Sequence, residues 1–186
     1  MRKHLVPKPC LILVMGVAGS GKTTLSAEIL RRICAVYLDN NQIADAFFSW
    51  TRQGPSYEKL RPGFYRALYT IAEENLKRGN SVLLDVPHVK EMQTHEWRNL
   101  IKRIVRRSGA KLAIIRCFCS ESVLKQRIRL RGEKRDARKL KHWDEFLVEQ
   151  PIKVTVPFAH LDVDTEKNLA RNVSAAVHYI RQISHD

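Results

Sequence analysis

No Cys-x-x-Cys pair occurs in this 186-residue sequence, which argues against a thioredoxin-like redox centre or a zinc ribbon. Its four cysteines, Cys10, Cys34, Cys117 and Cys119, mostly stand in or beside apolar runs, and are expected to be free buried thiols, as suits a reducing cytoplasm. Long hydrophobic runs are missing too: nothing approaches the roughly 18 apolar residues of a membrane span. The opening MRKHLVPKPCLILVMG places basic residues ahead of an apolar run, but that run flows straight into a glycine-rich segment. It is therefore not read as a secretory leader. Repeats, low-complexity tracts and linkers are absent, so residues 1–186 are expected to form a single domain. Acidic residues are scarce, 19 against 33 Lys and Arg, giving a net charge of +14 and a pI near 10.0. That imbalance does not define a fold, but it predicts attraction to anions such as nucleotides or nucleic acid.

Short runs of branched apolar residues recur: LILVMG (11–16), AVYLD (35–39), SVLLDV (81–86), KLAIIRCFC (111–119) and HLDVD (160–164). Apolar on consecutive residues rather than on alternate ones, they suit strands covered on both faces. Helical stripes lie between them. Phe64, Leu68, Ile71, Ala72 and Leu76 form one, with Pro62 near its start and Gly79 at its stop. Trp97, Leu100, Ile101, Ile104 and Val105 form a second, ending before Gly109. Leu169, Val173, Val177 and Ile180 form a third, with Thr165 as its expected N-cap. Strand alternating with helix predicts an α/β fold, a mainly parallel sheet with helices on both faces. Residues 47–66, with Gly54, Pro55, Pro62 and Gly63, read as a loop-rich excursion. The segment from about 121 to 131 reads as a helix, followed by a mobile loop.

Residues 16–23, GVAGSGKT, satisfy GxxxxGK[ST] without a mismatch, after a strand and before a helix-like segment. In such a P-loop, or Walker A motif, Gly16, Val17, Ala18, Gly19, Ser20 and Gly21 let backbone amides converge on phosphates at a helix N-terminus. Lys22 reaches the outer phosphates, the Thr23 hydroxyl can ligate Mg²⁺, and Thr24 lies one step further along. The motif predicts binding of a nucleoside triphosphate. No Asn-Lys-x-Asp guanine-reading motif is found, which weakens a GTPase reading. Asp39 and Asp85 close two of the expected strands, YLDNNQ and LLDVP. In an open parallel sheet, ligands gather at the strand C-termini, so both carboxylates are expected at the cradle, where either can hold Mg²⁺.

The cradle, these two strands and a late arginine-rich segment together resemble the small P-loop kinases: shikimate, gluconate and polynucleotide 5'-hydroxyl kinases, and zeta-toxin-like and kinase-like bacterial proteins often labelled AAA-type ATPases. The resemblance spans roughly residues 11–165. It implies a P-loop NTPase fold of three α/β/α layers, a five-stranded parallel sheet ordered 2-3-1-4-5, and transfer of the ATP γ-phosphoryl group to a substrate hydroxyl. In that family the second strand commonly ends Asp-x-Asp, the second carboxylate taking the proton of the attacking hydroxyl. Here the run is Asp39-Asn40-Asn41, so the base position holds an amide that accepts no proton at neutral pH. Either Asp39 or Asp85 takes the role, or the chain transfers slowly, hydrolyses ATP or only binds it.

Residues 125–141, KQRIRLRGEKRDARKLK, hold nine Lys or Arg against two acids, Glu133 and Asp136. The resemblance places a short basic lid at about 131–140. There Arg131, Arg135 and Arg138 would stabilise charge spreading over the transferred group, with Gly132 as hinge and Asp136 holding an arginine in position. A second cluster, Lys102, Arg103, Arg106 and Arg107, lies on the outer face of the expected 97–105 helix; two such patches would grip a polyanion. The excursion after the second strand is where the resembled kinases build their substrate pocket. Asn41, Arg52, Arg61 and His88 are the candidates for binding an anionic or polyhydroxylated acceptor, or a nucleic acid end, on which Tyr57, Tyr65 or Trp50 would stack a base. ATP and Mg²⁺ are the expected cofactors, and no membrane partner is expected.

Overall fold

The computed structural model describes residues 5–48 and 54–185, and only the backbone of Arg135 among these. Five strands, β1 (Cys10–Met15), β2 (Val36–Asp39), β3 (Val82–Asp85), β4 (Lys111–Phe118) and β5 (Leu161–Asp164), form one sheet in the order β2-β3-β1-β4-β5. Every pairing is parallel, with Leu11 opposite Val82 and Leu112, and Asp39 opposite Asp85. A parallel sheet needs crossovers, and helices supply them. They are α1 (Lys22–Arg32), α2 (Asn40–Phe47), α3 (Pro55–Lys77), α4 (His95–Ser108), α5 (Glu121–Arg131), α6 (Ala137–Lys141), α7 (Trp143–Glu149) and α8 (Leu169–His185).

The unbroken apolar strands have their explanation in two cores. Leu11, Leu13, Leu84 and Ile114 pack beneath α3 and α4 through Leu68, Ala72, Ile101 and Ile104. Ile12, Val14, Leu83 and Ile115 pack on the other face with Leu25 and Ile29 of α1 and Val173 and Ile180 of α8. A third cluster, Val17, Leu124, Ile128, Trp143 and Phe146, joins the glycine-rich loop to α5 and α7. Burial pushes the Cys10 thiol up to about 11 and the Cys117 thiol to about 12, so neither is a thiolate at neutral pH.

Three expectations about elements are corrected. The helix expected to begin near Pro62 begins at Pro55, and Pro62 lies inside it. Proline at the first helical position is already shaped for the helix and gives up an amide that has no partner there, so Pro55 starts α3 rather than prolonging a loop. The lid is not a loop: a 3-10 turn (Lys134–Asp136), α6 and α7 follow Gly132, anchored by the burial of Trp143 and Phe146. Thr165 does not cap α8; Asn168, one residue before the helix, takes the Arg171 amide on its Oδ1 at 3.0 Å.

Candidate functional site

Residues 16–23 carry the chain from β1 into α1. Gly16 has φ +137°, and a Cβ there would stand 2.3 Å from the Cys117 carbonyl oxygen, so the loop crosses the end of β4 without room for any side chain. Its N–H donates to the Pro87 carbonyl at 3.1 Å, tying the loop to the turn after β3. The N-cap of α1 is Gly21, which has no side chain to cap it, and no acid lies in the first turn of the helix, an end suited to an anion. Lys22, nearly buried, donates to the Val17 carbonyl at 2.9 Å. Burial lowers its ammonium pKa against the opposing pull of Asp85.

Asp39 and Asp85 are register partners at the ends of β2 and β3. Burial raises the Asp85 carboxyl, Lys22 and a hydrogen bond from Thr23 act against that, and the neighbouring Asp39 charge adds to it. Tyr37 donates to Asp85 Oδ2 at 3.2 Å. Thr23, Asp39 and Asp85 thus present only hard oxygen donors, the chemistry Mg²⁺ requires. Among the described residues no group of three His, Cys, Asp or Glu side chains could hold a metal ion. Asn41 binds Asp39 twice, its amide N–H to Oδ1 at 2.8 Å and its side-chain Nδ2 to Oδ2 at 3.2 Å.

On the lid, Arg131 forks onto Asp136 Oδ2, and Lys139 donates to Asp136 Oδ1 at 2.5 Å. Asp136 is almost wholly buried. Burial alone would raise its carboxyl; the hydrogen bond and charge of Lys139 and the charge of Arg131 outweigh this and hold it below the usual range. Arg138 also lines the cleft. The side chain of Arg135 lies outside the described set, as do Arg52 and Trp50.

The cleft itself, of about 1030 Å³, runs from the cradle past the carboxylates to α3 and α7. Lys22, Thr23, Asp39, Asp85, Arg131 and Arg138 all line it, as do Asn41, beside Asp39, and Arg61. Arg61 is already engaged, 2.6 Å from Glu91 and with its guanidinium 5.2 Å from the Tyr65 ring centre. His88 is placed elsewhere. It is 0% exposed, and its Nδ1 lies 2.9 Å from the Val86 carbonyl while Nε2 lies 2.5 Å from the Tyr69 hydroxyl, itself bonded to Trp97. The expected acceptor contact is corrected to a core polar chain, because the turn after β3 takes φ +56° at His88 and the ring is enclosed with Tyr69 and Trp97.

Three cleft or site-adjoining residues were not singled out from sequence. Arg127 donates to the Thr165 hydroxyl and carbonyl at 2.8 and 2.9 Å, closing α5 onto the loop after β5. Nothing in a run of basic residues distinguishes it. Glu91 and Tyr37 gain their roles only from their partners Arg61 and Asp85.

A family model described as AAA domain matches residues 11–149. Among solved structures, a protein of Chloroflexus aurantiacus J-10-fl superposes with a TM-score of 0.72 at 21% identity, over 92% of this chain and 98% of that one. A sugar kinase of Janibacter sp. HTCC2649 gives 0.70 at 17%, over 95% and 96%. The APS kinase CysC of Mycobacterium tuberculosis, in complex with AMPPNP and APS, gives 0.65 at 16%, over 94% and 98%. No curated protein matches in sequence. Among the described residues no helix is long and apolar enough to cross a membrane. With the matched segment running from β1 to the end of α7, the chain belongs to the AAA domain family, as a small P-loop kinase-like protein.

Proposed function

We propose that the chain binds ATP with Mg²⁺ and moves its γ-phosphoryl group to a hydroxyl, of a small metabolite or of a nucleic acid 5' end. The observation that carries this reading is one cleft bounded by the cradle lysine, two strand-end carboxylates and the lid arginines. Val17 to Thr24 hold the phosphates, and Lys22 exchanges the Val17 carbonyl for phosphate oxygen. Thr23, with Asp39 or Asp85, would hold Mg²⁺, which would supply neutralisation of the phosphate charge. Arg131, fixed by Asp136, and Arg138 face the charge that spreads over the transferred group, with Arg135 beside them in sequence. The acceptor oxygen–phosphorus bond forms as the bond from phosphorus to the bridging oxygen of ADP breaks. The hydroxyl proton passes to Asp39 or Asp85. Such transfer depends mainly on positioning and charge neutralisation, which is how it proceeds with Asn41 in the family's base position.

The test mixes the full chain with γ-labelled ATP, Mg²⁺ and pools of sugars, cyclitols, nucleosides and 5'-hydroxyl oligonucleotides, with Lys22→Ala as the blank. Label in one pool and none with the blank supports transfer; label only as free phosphate refutes it. A second reading, an ATP-binding or ATPase protein that contacts nucleic acid without efficient transfer, is favoured by one feature. Lys102, Arg103 and Arg106 stand exposed on α4 without an ion-pair or hydrogen-bond partner among the described residues. Oligonucleotide binding that persists without ATP and falls steeply with salt would favour it.

A further inference from the structure

We infer that the acceptor end of the cleft takes an amine-bearing, donor-rich alcohol rather than an anion, which rests on the acceptor site proposed above. This end is bounded by the first turns of α3, the turn after β3 and α7. Its charged lining is Glu58, Glu91, Glu145 and Glu149 against Arg61 and Lys90. In a chain with 33 basic and 19 acidic residues, four carboxylates to two cations is a local reversal of sign.

Both cations are engaged. Arg61 lies 2.6 Å from Glu91 and Lys90 lies 3.8 Å from Glu149. Among the described residues two acids remain without a Lys or Arg partner: Glu58, and Glu145, whose Oε1 lies 3.3 Å from the His142 ring. Among the described residues, an incoming carboxylate or phosphate meets no cation at this end without an acidic partner, and an ammonium meets Glu58 and Glu145, the second held only by the His142 ring.

A separate observation points to a ligand hydrogen-bond donor. Asn40, the first residue of α2, lines the same cleft and is 6% exposed, and its Oδ1 is buried without a hydrogen-bond partner. Buried polar atoms are nearly always paired, so one left open beside a cleft is matched by a donor the ligand brings. A hydroxyl or ammonium supplies that donor; a carboxylate or phosphate supplies only acceptors.

Calorimetric titration of the full chain with AMPPNP and Mg²⁺ present tests this without requiring turnover. The probes are 2-deoxystreptamine, myo-inositol, gluconate and a 5'-hydroxyl oligothymidylate. 2-Deoxystreptamine is expected to bind at least about tenfold tighter than myo-inositol, with gluconate weakest. Glu58→Gln with Glu145→Gln lowers the 2-deoxystreptamine affinity by about tenfold and leaves myo-inositol within about twofold. Asn40→Leu weakens both cyclitols by about tenfold while the unfolding temperature holds or rises, a pairing that a purely structural asparagine would not produce. Gluconate or oligothymidylate binding tighter than 2-deoxystreptamine, no probe binding at all, or a double variant that binds like the parent would each overturn the inference. Binding of 2-deoxystreptamine without label transfer in the parallel γ-labelled ATP assay would overturn the phosphotransfer reading and leave the acceptor class standing.

Discussion

Replacing Gly16 by alanine isolates the closest approach in the cradle. The new methyl would stand 2.3 Å from the Cys117 carbonyl oxygen and 2.7 Å from Ser20 Oγ. The serine can rotate, but the carbonyl belongs to β4 and cannot yield without moving the sheet. Holding φ near +137° with a side chain costs about 1–3 kcal/mol, and the overlap adds about 1–3 kcal/mol. Gly79 is the control, at φ +82° with nothing within 4 Å of its built Cβ. There only the conformational cost applies, about 1–2 kcal/mol. For a domain of this size 1 kcal/mol moves the unfolding midpoint by roughly 2–4 °C. Thermal unfolding is then expected to drop by about 4–24 °C for Gly16→Ala and by about 2–8 °C for Gly79→Ala. Nucleotide binding should be lost only in the former, because the Gly16 amide leaves the Pro87 carbonyl. A Gly16→Ala protein that melts with Gly79→Ala and still binds AMPPNP would refute the close-packing account of the cradle.

Burial pushes the His88 imidazole down to about 4, below the ordinary 6.5 or so. A depressed histidine contributes stability that is whole above the unfolded value and is lost as pH falls through the window from about 6.5 to 4, here up to about 3 kcal/mol. Chemical denaturation across that range should show the loss in the parent and a shallower profile in His88→Asn, since asparagine tolerates the left-handed backbone. Equal slopes would refute the assignment. For Asn41→Asp, a carboxylate replaces an amide that donates to Asp39 Oδ2 at 3.2 Å. Like charges at that separation repel, so stability should fall by about 1–3 kcal/mol and transfer by about tenfold. A gain of about 10²-fold or more, the worth of a restored general base, would instead mean that the amide is simply a lost catalyst.

Some of this molecule is readable in one dimension because its physics is local. The cradle needs its glycines at fixed spacing, and strands covered on both faces must be apolar on consecutive residues, so β1 and β3 stand out, as do the carboxylates that close β2 and β3. The rest depends on partners that sequence distance hides. Pro55 starts α3 although the same residues read as a loop, and α6 and α7 form where Trp143 and Phe146 find an apolar seat beside Val17. His88 sits three residues after Asp85, as a pocket residue would, yet the turn directs it into the core toward Tyr69 and Trp97. Arg127 and Arg129 are alike in sequence, but only Arg127 lies against Thr165 and the cleft.

The basic run at 125–141 answers to phosphate only in part. Of its nine Lys and Arg residues, Arg127, Arg131, Arg138 and Lys139 line the cleft, and Lys125 instead lies over the Trp143 ring, 5.0 Å from its centre. Two of the four cleft residues, Arg131 and Lys139, converge on one buried acid, Asp136, which fixes them at the cost of part of their charge. The positive field is therefore concentrated at the nucleotide end, where Lys22 adds to it, while Glu58 and Glu145 reverse the sign toward α3 and α7. A low-dielectric cleft with unlike ends sorts its two ligands by charge before any specific contact forms. On the proposed reading a triphosphate is drawn to the cradle and a cation to the far wall, which would make the net +14 of the chain a poor guide to the acceptor.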